Sequence, residues 1–151
     1  MKTMGFIEAL ENVVVKNYAN FRGRARRSEY WYFALANFLY GIVTGLLSVK
    51  VPEVMYLVWI VSLALLVPSL AVCVRRLHDI GKSGWWYLIG FVPYIGVIIL
   101  FVFFVKDSQP GENKWGANPI QAAKKYHFTA MYKLFNEYSK KKQEEKNSTN
   151  Q

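Results

Sequence analysis

Two runs without a charged side chain, Val54–Val74 (21 residues) and Ser83–Val105 (23 residues), bracket the polar stretch Arg75-Arg76-Leu77-His78-Asp79-Ile80-Gly81-Lys82. At 1.5 Å rise per residue, each run is long enough as a helix to cross the roughly 30 Å hydrocarbon core of a bilayer. The polar stretch is then a hinge at a membrane surface. Arg75 and Arg76 anchor it among head groups, and Trp85 and Trp86 join the aromatic belt. A third apolar run, residues 30–49, follows the basic segment Arg22-Gly23-Arg24-Ala25-Arg26-Arg27. The chain reads as an all-α membrane protein with three transmembrane helices over about 30–49, 54–74 and 85–105, the third broken at Pro93.

The charges support this reading. They collect in four blocks, +3 over residues 1–29, 0 over 50–53, +2 over 75–84 and +4 over 106–151, which together make the formal +9. A nucleic-acid binder can share that net charge, but it does not alternate basic blocks with uncharged runs of 20 residues. Affinity for anionic lipid explains the pattern better. Four arginines in six residues before the first span place residues 1–29 in the cytoplasm by the positive-inside rule. The N-terminus lacks the pattern of a cleaved secretory signal, so the first span acts as an uncleaved anchor. The expected location is a membrane, crossed in multiple passes.

Residues 1–21 form an expected amphipathic interfacial helix, with Phe6, Leu10, Val13, Val14, Tyr18 and Phe21 on one face. Packing of that face on the protein's own cytosolic surface is the alternative. In the first span, Asn37, Gly41, Gly45 and Ser48 share a face suited to close helix approach, with Asn37 bonding across it. That face packs within the chain or between copies in a homo-oligomer. Lys50-Val51-Pro52-Glu53 is a tight turn that makes the first two spans an antiparallel hairpin. In the second span Pro68 frees the carbonyl of Ala64 and bends the helix. The third run contains Gly90, Pro93 and Gly96. A kinked spanning helix is the main expectation, and a re-entrant hairpin turning at residues 91–94 the alternative.

Chemistry is sparse. Cys73 is the single cysteine, so no internal disulfide forms, and neither a metal cluster nor a cofactor motif is visible. His78-Asp79 invites an acid–base role, but adjacent helical residues point about 100° apart. A histidine bonded within the hinge is the expectation. Arg22, Arg24, Arg26, Arg27, Arg75, Arg76 and Lys82 are candidates for contact with anionic lipid or ligand. Glu29 and Asp79 are expected to form ion pairs at this surface: Glu29 with Arg75 or Arg76, Asp79 with an arginine drawn from residues 24–27. Residues 120–142 read as a basic amphipathic helix and residues 143–151 as a disordered tail.

Three ordered motifs carry a family likeness. Phe21-Arg22-Gly23-Arg24-Ala25-Arg26-Arg27-Ser28-Glu29-Tyr30-Trp31, the hinge Arg75 to Trp86, and Gly111-Glu112-Asn113-Lys114-Trp115-Gly116 with Pro119 resemble the bacterial domain of unknown function 805 family. The resemblance covers roughly residues 10–120, so residues 22–119 are read as the membrane domain. It implies a small bacterial inner-membrane protein and no activity. Three function classes follow. The first is a non-enzymatic helix-packing or lipid-contacting component with an arginine-rich cytosolic face. The second is a transporter or channel component, and the third a membrane enzyme acting on a lipid. The three apolar runs lack ionisable acids, bases and histidine, which favours the first.

Overall fold

A computed structural model describes residues 4–149 and divides into two units, the first ending at Asn118 and the second starting at Pro119. The first unit holds α1 (Phe6–Glu11), α2 (Arg27–Lys50), α3 (Val54–Asp79), a 3-10 segment (Gly84–Phe91) and α4 (Ile95–Val105). The second is α5 (Pro119–Thr149). The described fold is all-helical.

Helix α1 runs into one π-helical turn, Asn12–Lys16, and ends where Asn17 turns back to donate to the Asn12 carbonyl at 2.9 Å. The helix therefore covers residues 6–16 of the expected 1–21, and residues 1–3 lie outside the described residues. Its apolar side is buried on the protein itself: Val13 packs with Ala25, Phe33 and Val72.

Helices α2 and α3 form the expected antiparallel hairpin around Val51, Pro52 and Glu53, closed by Val54 N–H donating to the Val51 carbonyl at 3.2 Å. Both are long and apolar enough to cross a membrane, yet only 6% and 22% of their most apolar windows is buried. A soluble core helix would be mostly buried, so these side chains need an apolar solvent. Pro68 leaves the Ala64 carbonyl without its helical donor, and the Tyr18 hydroxyl donates to it at 2.6 Å. Tyr40 bridges the hairpin, its hydroxyl donating to the Val58 carbonyl at 3.1 Å.

Helix α3 stops at a Gly81 in the left-handed region (φ +78°). Gly81 N–H reaches the His78 carbonyl and Lys82 N–H the Leu77 carbonyl, the double closure that glycine permits.

The third span is corrected here. Among the described residues two helices, not three, are long and apolar enough to span; residues 84–105 divide into the 3-10 segment and the 11-residue α4. Pro93 and a positive φ at Tyr94 (62°) turn the chain between them. The two legs close on each other at glycine: a Cβ on Gly96 would sit 1.8 Å from the Ile89 carbonyl oxygen. The segment also returns to its origin, since Gln109 N–H donates to the Asp79 carbonyl at 2.9 Å. The chain thus folds back at residues 92–94, inside the turn expected as the alternative course, and residues 106–118 lie at the same end as the hinge rather than across from it.

The buried core gathers at that end. Leu77, Leu100 and Phe104 form its second cluster, and Tyr30 packs against both clusters. Helix α5 continues through Thr149, so residues 143–149 are helical where a disordered tail was expected; residues 150–151 lie outside the described residues.

Candidate functional site

At the closed end of the bundle, three arginines and two carboxylates are buried together: Arg24, Arg75, Arg76, Glu29 and Asp79. Asp79 occupies the last turn of α3, where the helix dipole disfavours an anion. Its position depends on cations. Arg24 Nε donates to Asp79 Oδ1 at 3.0 Å and Arg76 Nη1 to Oδ2 at 2.5 Å, with Ser108 Oγ also on Oδ2.

Arg24 reaches the site because Gly23 (φ +81°) turns the chain and Ala25 N–H docks on the Arg75 carbonyl at 3.0 Å. All five of its N–H groups are used. Besides Asp79 Oδ1, they meet the carbonyls of Asp79 (3.2 Å), Gln109 (2.5 Å), Gly111 (2.8 Å) and Gly116 (3.2 Å). Arg76 does the same for the end of α4: its Nε and Nη2 donate to the Phe104 carbonyl at 3.3 Å, and Nη2 also to the Lys106 carbonyl. These carbonyls are the orphan acceptors of a helix C-terminus, and a guanidinium fork suits them. Residues 106–116, which carry no regular helix, are thus folded around two guanidinium groups.

Glu29 lies beside this knot. Its Oε1 accepts from Arg75 Nη1 at 2.6 Å, both side chains being almost fully buried. Arg75 Nε and Nη2 are buried with no acceptor. His78 donates from Nδ1 to the Gly23 carbonyl at 3.2 Å, since a carbonyl only accepts, and its ring stacks on Trp115 with centroids 4.5 Å apart. Asn113 Nδ2 donates to the His78 carbonyl at 3.0 Å. Both the Trp115 stack and the Asn113 bond come from the Gly111–Gly116 motif. Its turn formers and lone tryptophan were the available signal, but their contacts lie more than 30 positions away.

Burial corrects part of the expected lipid-contact set. Arg24, Arg75 and Arg76 are buried and bonded internally, while Arg22, Arg26, Arg27 and Lys82 keep accessible surface. Arg27 pairs with Asp107 at 2.5 Å, and Lys82 Nζ lies 5.0 Å over the Trp86 ring. Within one chain, the expected helix-packing face meets no other described element. Asn37 and Ser48 bond the Phe33 and Gly45 carbonyls of their own helix, and no atom lies within 4 Å of a Cβ built on Gly41 or Gly45.

The comparisons agree with the motifs. Residues 18–117 match the family described as "Protein of unknown function (DUF805)". "Inner membrane protein YhaI" of Escherichia coli is 44% identical over 107 residues, covering 70% of this chain and 91% of that protein. "Inner membrane protein YhaH" of the same species is 42% identical over 111 residues, covering 70% and 92%. No solved structure matches. The buried knot lies inside the matched range, and α5 lies beyond it.

Proposed function

The chain belongs to the DUF805 family, and from that premise we propose that it is a non-enzymatic inner-membrane component. Its α2–α3 hairpin lies in the bilayer with residues 1–29, 75–83 and 106–118 on the cytoplasmic side. The names of its relatives, the two lipid-length helices and the arginine block before α2 support that placement. Its work is packing and lipid contact: a helical hairpin and a re-entrant segment held as one body, with Arg22, Arg26, Arg27 and Lys82 turned to anionic head groups. Helix α5, with exposed Met131, Leu134, Phe135 and Tyr138 beside many lysines, suits the same surface.

The carrying observation is the sharing of Asp79 by Arg24 and Arg76. Five ionisable groups that the motifs supply, Arg24, Glu29, Arg75, Arg76 and Asp79, are buried and join three chain segments, the geometry of a scaffold. Solute uptake and lipid profiling of a deletion strain test the reading. Unchanged uptake with no accumulated lipid intermediate is expected; loss of one solute's uptake or build-up of one lipid would overturn it.

A transport component is the second reading, favoured by one observation. Arg75 Nε and Nη2, buried beside Glu29 without an acceptor, form a site that water or a small anion would satisfy. Uptake assays with Arg75→Met separate the two.

A further inference from the structure

We propose that the cleft between α3 and the 3-10 segment holds one acyl chain of an anionic phospholipid, with its head group against Arg22 and Lys82. This rests on the hinge end lying at head-group level, as proposed above.

The cleft measures about 360 Å³, within the roughly 300–1,000 Å³ of small-molecule sites. One wall is the row Leu70, Val74 and His78, which at four-residue steps extends about 12 Å along α3. The other is Tyr87 and Leu88, and Phe21 closes the side. Gly84 sets the width of the cleft: a Cβ there would lie 2.8 Å from Val74 Cγ1, so only glycine lets the segment lie this close without displacing Val74.

The lining is graded. It is apolar along Leu70, Val74 and Leu88 and polar where His78 and Ser83 enter. That is the profile of an amphiphile, not of a water-soluble metabolite. The row of Leu70 continues to Leu66, half-exposed on the spanning helix, and Trp85 on the rim is 78% exposed. The apolar end is thus continuous with the surface that faces lipid, and chains enter it sideways from the bilayer.

The polar end selects by charge. Arg22 and Lys82 are the chain neighbours of the lining residues Phe21 and Ser83, and the Lys82 ammonium lies 5.0 Å over the Trp86 ring. His78, donating from Nδ1 to the Gly23 carbonyl, is left with Nε2 as its ring acceptor, a match for a hydroxyl-bearing head group. Two cations flanking the lining in the chain favour a head group with net negative charge over a zwitterionic one.

The test uses the full chain in vesicles of phosphatidylethanolamine and phosphatidylglycerol, doped with phosphatidylglycerol carrying a mid-chain diazirine. Peptide mapping after irradiation should concentrate label on residues 70–74 and 87–88. Leu70→Trp fills the cleft and should abolish that label, as should Leu88→Trp, which changes a half-exposed side chain if the first variant fails to fold. Leu63→Trp, on the lipid-exposed face, should leave it intact. Arg22→Gln with Lys82→Gln should lower the preference for phosphatidylglycerol over phosphatidylethanolamine, read with the same diazirine on each lipid in turn, roughly fivefold per charge removed. Label spread evenly over the exposed faces of α2 and α3, or unmoved by either filling variant, overturns the site. Thiol labelling of Lys82→Cys in the Cys73→Ser background is read in parallel. Periplasmic labelling refutes the membrane placement, whereas cytoplasmic labelling with diffuse lipid label refutes the cleft alone.

Discussion

Arg24 and Asp79 stand 55 positions apart in the chain and 3.0 Å apart in the fold, the guanidinium and carboxylate both shut away from solvent. Buried charges are costly singly and tolerable only as a bonded set. Asp79→Asn leaves two buried guanidinium groups without a carboxylate, and Arg24→Gln leaves Asp79 with Arg76 and Ser108 but strips a donor from each of four carbonyls; each is expected to destabilise the membrane unit by about 3–5 kcal/mol. Arg24→Lys should recover little, because an ammonium has three donors and no planar fork for the carbonyls of Gln109, Gly111 and Gly116. Thermal aggregation in native membranes measures all three; a wild-type midpoint for Arg24→Lys would show that charge alone is needed.

The Glu29–Arg75 pair makes a different demand. Arg75 has one carboxylate bond and two buried unbonded donor nitrogens, so Glu29→Gln leaves a buried cation with a neutral neighbour. That variant should cost about 3–5 kcal/mol, whereas Glu29→Leu combined with Arg75→Met should be close to neutral. The comparison is one double-mutant cycle read by the same thermal assay. Equal losses in the single and double variants would mean that packing, not charge, governs the position.

Pro68 and Tyr18 form a smaller and cleaner cycle. Tyr18→Phe removes the only described donor to the Ala64 carbonyl and should cost about 0.5–1.5 kcal/mol. In a Pro68→Ala background the helix supplies its own donor, and the same substitution should then cost almost nothing. A Tyr18→Phe penalty that is unchanged in that background would assign the tyrosine a packing role instead.

Glycines 96 and 41 are expected to behave oppositely. A methyl on Gly96 meets the Ile89 carbonyl oxygen at 1.8 Å and must part the legs of the re-entrant segment; one on Gly41 meets nothing within 4 Å. Gly96→Ala should expose residues 92–96 to added protease and lower the thermal midpoint, and Gly41→Ala should do neither. Gly41→Ala matching Gly96→Ala in effect would point to an occupied face on α2.

How far the sequence disclosed this arrangement differs by element. The α2–α3 hairpin was legible, because uncharged runs and the Lys50–Glu53 turn admit few other folds. In the third run Gly90, Pro93 and Gly96 allowed both a kinked helix and a turn at residues 91–94: residue count and hydropathy cannot distinguish crossing from turning back, and the deciding contact, Gly96 against Ile89, is tertiary. At the site, acids and arginines at matching depth were readable as ion-pair candidates. The pairing of Asp79 with an arginine of residues 24–27 was readable too, and Arg24 makes it; its grip on the carbonyls of Gln109, Gly111 and Gly116 was not, since a block of arginines before a span has an adequate topological explanation for every member. Nor was the role of Trp115, which stacks on His78 from 37 positions away.

The placement of residues 106–118 tests the fold most directly. In the Cys73→Ser background, single cysteines at Lys82, Val51 and Glu112 are labelled in intact cells with a membrane-impermeant maleimide, before and after permeabilisation. The expected result is periplasmic labelling at position 51 alone, with positions 82 and 112 reacting only after permeabilisation. Labelling of 51 and 112 together in intact cells, with 82 protected, would mean that residues 85–105 cross the membrane and that the Arg24–Asp79–Arg76 knot does not form.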